Sequence, residues 1–181
     1  LYIAAATVKL IADDQLSLEQ SLAKLLPEIA DSIEYADEIT LSMLLQHRSG
    51  IPEFIYDPEF ADSDPQESYL TTAQLIFNRD ADFKPGKKYR YSNTNYLLIG
   101  EILDRTLGYS HQTYIREEIL TPLHLEKTYS LLSEVDSNDV MSGYYVGQES
   151  DLKMNDYTRP GGSMISTAEE VSIFLRALVD G

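Results

Sequence analysis

The sequence has 181 residues, 30 of them acidic against 14 basic, for a formal net charge of −16, and it contains no cysteine. So acidic a chain repels polyanions and excludes the basic face that nucleic-acid binding needs. The missing thiol excludes disulfides, Cys-ligated zinc, iron–sulfur clusters and thiol nucleophiles. A 43% hydrophobic content fits a packed core rather than disorder, and no apolar run approaches a membrane span.

Residues 1–11, Leu-Tyr-Ile-Ala-Ala-Ala-Thr-Val-Lys-Leu-Ile, are apolar almost all round, the pattern of a buried helix. No cap or polar lead-in precedes them, and a secretion-signal core would need a basic segment first, so Leu1 reads as a cut inside a helix. Ser17 with Gln20 makes a capping-box pattern that predicts a helix over 18–26, stopped near Pro27. Thr40 caps a helix over 41–47, closed by Ser49-Gly50, and Thr71 or Thr72 caps one over 73–78. Residues 57–66, with three Asp and two Pro, read as a surface loop. Pro85-Gly86 marks a turn before a polar and aromatic stretch at 89–95. Leu97, Leu98, Ile99, Ile102, Leu103 and Leu107 give a strongly apolar helix over 96–107, ended by Gly108. Ser110 caps a further helix that reaches Leu120 before Pro122. Residues 131–155 are weakly patterned, with 143–146 the best short strand. Pro160-Gly161-Gly162 is a turn, and Ser166 with Glu169 caps a last helix over 168–179, with Gly181 as its C′ residue. The expectation is a mainly α unit with a few short strands and long connections of the kind that line functional surfaces.

Ser-x-x-Lys occurs once, at Ser21-Leu22-Ala23-Lys24. On a helix that spacing sets an amine beside a hydroxyl whose proton it can take. The pattern is common by chance, however, and an amphipathic helix with a solvated lysine explains it. Tyr91-Ser92-Asn93 is more informative. A phenol ionises near ~10 and carries protons at neutral pH only where cations lower that value. Asn93 adds an amide donor and acceptor, although packing of Tyr91 and helix capping by Ser92 or Asn93 would also account for the triplet. His47, His111 and His124 lack metal-ligand spacing and read as structural or surface residues. Lys84-Pro85-Gly86 mimics a Lys-x-Gly strand motif, but its proline belongs to the turn. The acidic residues are scattered, which gives neither a glycosidase pair nor a calcium loop.

Four segments in order resemble one family. Residues 41–51, Leu-Ser-Met-Leu-Leu-Gln-His-Arg-Ser-Gly-Ile, are similar to "hLLtHtSGl". Pro85-Gly86 followed by residues 91–100, Tyr-Ser-Asn-Thr-Asn-Tyr-Leu-Leu-Ile-Gly, resembles "PG…YSNtnYhLLG". Residues 121–128 resemble "PLGM..T", and residues 160–170 resemble "aGGl.STaeDl". The chain thus resembles the serine β-lactamase and penicillin-binding-protein superfamily, in its class C, D-alanyl-D-alanine carboxypeptidase and esterase-like branch.

The resemblance implies that residues 1–181 are one helical subdomain of the α+β β-lactamase/transpeptidase-like fold, truncated at both ends. It implies an acyl-enzyme on the Ser of Ser-x-x-Lys, with Tyr91 as the proton-handling tyrosine and Asn93 as its polar partner. Residues 1–18 match the helix that follows that motif, so the nucleophilic serine and its lysine are expected just before Leu1. Ser21-x-x-Lys24 is then a decoy, and a Lys/His-x-Gly strand is expected beyond Gly181. The implied substrate is a β-lactam, a peptidoglycan peptide or a small ester, with no cofactor or metal, and the isolated chain is expected to be inactive. The other function class is a non-catalytic binding or interaction domain that keeps the fold. An extracytoplasmic location follows from the resemblance, and a subdomain severed from its sheet is expected to self-associate.

Overall fold

The computed structural model describes residues 1–64, 67–144, 146–147, 151, 159 and 162–180. Seven α-helices appear among them: α1 (Tyr2–Ala12), α2 (Leu22–Leu25), α3 (Leu41–Leu45), α4 (Tyr69–Ala73), α5 (Asn93–Leu107), α6 (His111–Ile115) and α7 (Ala168–Asp180). Extended pairing among the described residues is confined to two isolated antiparallel bridges, Ser21 with Thr40 and Tyr129 with Ile165. Tyr145, Pro160, Gly161 and Gly181 lie outside the described residues, and with them parts of the expected strand, turn and helix end.

The centre is α5. Leu97, Leu98, Ile99, Ile102 and Leu103 are fully or almost fully buried, each side chain stabilising the fold by about 1.5–3 kcal/mol at full burial. Helices α1, α3, α4 and α6 pack around it. Tyr2, Ile3, Ala6, Thr7 and Leu10 form the buried face of α1, and the Tyr2 ring stacks on Phe174 of α7 with centroids 4.1 Å apart. Gly108 takes the left-handed conformation (φ 76°) and its N–H bonds the Asp104 carbonyl, which ends α5 where the sequence predicts.

Several boundaries differ for identifiable reasons. The helix expected over 18–26 is a turn followed by the single turn of α2. Backbone bonds from Leu22 N to Ile39 O, Leu41 N to Gln20 O and Ser42 N to Leu18 O pull 18–22 into pairing with the next segment. The Gln20 side chain still accepts from Ser17 N at 2.8 Å, so half of the capping box forms without a helix behind it. Thr40 caps α3 as expected, with Oγ1 accepting from Met43 N, but α3 ends at Leu45. Ser68, not Thr71 or Thr72, caps α4, which tightens into a 3₁₀ turn at Gln74–Ile76. The 57–66 segment holds a 3₁₀ turn at Pro58–Asp62, anchored because the buried Asp57 carboxylate accepts from Glu59 N and pairs with Arg79. Ser110 caps α6, which continues as a π-helical turn through Arg116–Leu120. Thr167, not Ser166, accepts the first-turn N–H of Glu170 in α7, because Ser166 Oγ is bonded to Thr128.

Candidate active site

The loop that follows α3 builds the site. His47 leaves the helix with φ +54°, and its carbonyl accepts from Arg90 N at 3.0 Å. The Arg48 carbonyl accepts from Gly86 N at 2.8 Å, and the Gly50 carbonyl from Asp82 N at 2.9 Å. These bonds clamp 47–50 against 82–90. Gly50 sits at φ +83°, and a Cβ there would lie 2.0 Å from the Phe83 carbonyl oxygen, so the close approach needs glycine.

The same loop receives the start of α5, three residues earlier than the expected Tyr96. Ser92 makes no side-chain cap. Instead Ser92 N donates to His47 Nδ1 (3.3 Å), and Asn93 N donates to Glu53 Oε2 (2.5 Å). Thr94 Oγ1 donates to the Pro52 carbonyl (2.7 Å) and accepts from Phe54 N (3.1 Å). Ser49 Oγ and Asn95 Oδ1 share a buried bond of 2.6 Å. The Glu53 carboxylate, 7% exposed, thus sits at the N-terminus of a 15-residue helix, where the peptide dipoles favour negative charge.

Tyr91, 55% exposed, donates its phenol proton to Asn93 Oδ1 at 3.0 Å, and Asn93 Nδ2 donates to Glu53 Oε2 at 3.0 Å. The two sequence-predicted site residues are therefore in direct contact. Burial pushes the Tyr91 pKa up, and the nearby Glu53 charge and Tyr89 push it further. The phenol holds its proton near neutral pH, the opposite of what a resident base needs. The His47 ring lies 4.4 Å from Tyr91, 5.2 Å from Tyr96 and 6.2 Å from Tyr89, centroid to centroid. Burial lowers the His47 pKa. With Ser92 N and Asn95 Nδ2 both directed at Nδ1, that nitrogen accepts and the ring proton sits on Nε2.

His47, Tyr91 and Tyr96 line a cleft of about 540 Å³. The lining also includes Leu1, Tyr2 and Ile3 at the start of α1, together with Ser130, Ser163 and Ser166. His111 also borders it, buried with its backbone N–H donating to Asp104 Oδ1 and its Nδ1 2.7 Å from the same oxygen, which makes it a packing residue. His124 lies at φ +54° beside a separate depression. Ser21 and Lys24 are absent from the cleft: Ser21 Oγ accepts from Lys24 N as the cap of α2. Among the described residues no group of three or more His, Cys, Asp or Glu could hold a metal ion, and no helix is long and apolar enough to cross a membrane. Glu53 and the bridging role of His47 escape sequence reasoning, since each reaches its partners across 40 or more residues. For His47 the local trace is its place in the 41–51 segment similar to "hLLtHtSGl"; Glu53 lies outside that segment.

The model of the Beta-lactamase family matches residues 1–181. The chain belongs to the beta-lactamase family. This beta-lactamase-family chain is 27% identical over 165 residues to a D-alanyl-D-alanine carboxypeptidase-like protein of Escherichia coli (strain K12), covering 86% of the chain and 36% of that protein. The D-amino acid amidase of Ochrobactrum anthropi SV3 superimposes with a TM-score of 0.81 at 26% identity, covering 99% of the chain and 54% of the amidase. The octameric penicillin-binding protein homologue of Pyrococcus abyssi gives 0.78 at 27%, covering 99% and 43%. The chain spans about a third of the curated relative and about half of the solved ones. Its helical architecture is a helical subdomain of the β-lactamase/transpeptidase fold, and its relatives include hydrolases, a carboxypeptidase-like protein and an amidase.

Proposed function

We propose that residues 1–181 are the helical region of a larger serine acyl hydrolase that acts through an acyl-enzyme on a β-lactam, a peptidoglycan peptide or a small ester. The observation that carries this reading is the shared cleft: Tyr91 and the first turn of α1 line one cavity. A Ser-x-x-Lys placed just before Leu1, as the family resemblance implies, enters that cavity beside the phenol. The serine oxygen bonds the substrate's carbonyl carbon, the amine or alcohol leaves carrying the serine's proton, and water then releases the acid and restores the hydroxyl. Tyr91 takes part in the proton transfers and Asn93 orients it. A lysine ammonium beside Tyr91 supplies the cation that its surroundings in this chain lack.

The test reads the four encoded residues ahead of Leu1 and labels the full-length protein with a fluorescent penicillin, mapping the adduct by peptide mass. An adduct on a serine just ahead of Leu1 supports the reading. An adduct on Ser21, or an upstream tetrapeptide other than Ser-x-x-Lys, overturns it, and the latter favours a non-catalytic binding domain. The 181-residue chain alone should not turn over substrate. By family resemblance the parent protein works outside the cytoplasm.

Self-association of the chain belongs to the same reading. Ile173, Leu175, Leu178 and Val179 leave an apolar surface on α7, with Val179 83% exposed. Light scattering that finds only monomer at high concentration would remove this part.

A further inference from the structure

Glu53 belongs to none of the recognised motifs, yet its carboxylate holds the Tyr91–Asn93 pair in place. One oxygen, Oε2, receives both the backbone N–H and the side-chain Nδ2 of Asn93, at 2.5 and 3.0 Å, while Oε1 accepts from Ile55 N at 3.3 Å. An ionised carboxylate only accepts hydrogen bonds, so Asn93 has one amide orientation available: nitrogen toward Glu53, oxygen toward the phenol. An amide oxygen also only accepts. The group facing it must hold a proton to be bonded, and that group is Tyr91, 3.0 Å away.

We propose that Glu53 is a positioning residue: by fixing the Asn93 amide it keeps Tyr91 a proton donor. The proposal deepens the reading of Tyr91 as the proton-handling residue and rests on it. The surroundings agree. Among the described residues the titratable groups facing Tyr91 are Glu53, Tyr89, His47 and Tyr96. Glu53 brings a carboxylate, the two tyrosines bring no cation, and His47 Nδ1 is occupied as an acceptor. The neighbouring Arg90 guanidinium is held by Asp82 at 2.9 Å. Nothing within this set stabilises a phenolate, and a phenolate would meet the Asn93 oxygen as a second acceptor. Among these groups alone Tyr91 therefore holds its proton and faces Asn93 as a donor.

Two variants separate the charge of Glu53 from its grip. In Glu53→Gln the side-chain oxygen can still hold both Asn93 donors, but the charge is gone. In Glu53→Ala both are lost. The readout is a ¹³Cζ-tyrosine NMR titration of the full-length protein, with the Tyr91 signal assigned by its absence in Tyr91→Phe. Solvent exchange of the Asn93 side-chain NH₂ is followed alongside. Glu53→Gln should lower the Tyr91 midpoint by roughly half a pH unit, the effect of one nearby charge through partly solvated surroundings, while Asn93 exchange stays slow. Glu53→Ala should release Asn93 to the exchange rate of a free amide and slow penicillin acylation by about tenfold to a hundredfold. Asn93 exchange as slow in Glu53→Ala as in wild type overturns the proposal, and if Glu53→Ala fails to fold, free-amide exchange of Asn93 in Glu53→Gln, which keeps the accepting oxygen, overturns it as well. The underlying reading fails separately, if Tyr91→Phe acylates at the wild-type rate, and the titration result stands regardless.

Discussion

Replacing Gly50 with alanine isolates the strain that holds the candidate site together. Two terms add. At φ +83° a side chain in the left-handed region costs about 1–2 kcal/mol. The new Cβ would also lie 2.0 Å from the Phe83 carbonyl oxygen and 3.1 Å from its carbon, which are backbone atoms that cannot rotate away. Relief requires moving apart two segments joined by the Gly50–Asp82, Arg48–Gly86 and His47–Arg90 backbone bonds. An overpacking penalty of about 1–3 kcal/mol is appropriate, for a total of about 2–5 kcal/mol. Gly108→Ala is the internal control. Its φ is +76°, but nothing lies within 4 Å of where its Cβ would stand, so it should lose only the ~1–2 kcal/mol conformational term. Urea denaturation followed by far-UV circular dichroism, run on wild type and both variants, measures the difference. If Gly50→Ala is no more destabilising than Gly108→Ala, the clamp between 47–50 and 82–90 is not rigid, and the account of how Glu53 is held in place falls with it.

Three further outcomes follow from the same geometry. His47 is held at lowered pKa, so its folded form resists protonation: its contribution to stability is present above the unfolded value near ~6.5 and is lost as pH falls through the folded one. His47→Asn keeps an acceptor and tolerates φ +54°, so its urea stability should decline less than wild type between pH 7.5 and 5, and equal declines would refute the assignment. Ser21→Ala should leave penicillin labelling of the full-length protein intact while removing a helix cap worth about 0.5–2 kcal/mol in denaturation, whereas loss of labelling would restore Ser21 as a nucleophile. Glu170→Ala strips Lys127 N of its carboxylate partner and should cost about 1–3 kcal/mol, with faster hydrogen exchange at Lys127, while unchanged exchange there would contradict the bond.

Features set by neighbours in sequence were legible before the structure: the Thr40 and Ser110 caps, the Gly108 stop and the apolar stripe of α5. Features decided by competition were not. Thr167 and Ser166 are equally good caps on paper, and the choice falls to Thr128, which draws Ser166 away from 38 residues upstream. The 18–26 segment has a helix's spacing, but backbone groups at 39–42 claim its ends. At the candidate site the motif residues Tyr91 and Asn93 could be read directly, and their hydrogen bond is local. Glu53 could not, because a lone carboxylate 40 residues away carries no periodicity and its meaning lies wholly in the tertiary contact.

The first turn of α5 is tied to the preceding loop by bonds running in both directions, and this affects how the molecule opens. Ser92 and Asn93 donate outward to His47 and Glu53, while Phe54 donates back to Thr94. A self-capped helix can fray by a turn at little expense, but here the first turn can loosen only if the loop detaches with it. The amides of Ser92, Asn93 and Phe54 therefore belong to one opening unit and should exchange with solvent at a common free energy. A ligand that settles against Tyr91 would raise all three protection factors together, which makes this clasp an intrinsic reporter of occupancy at the cleft.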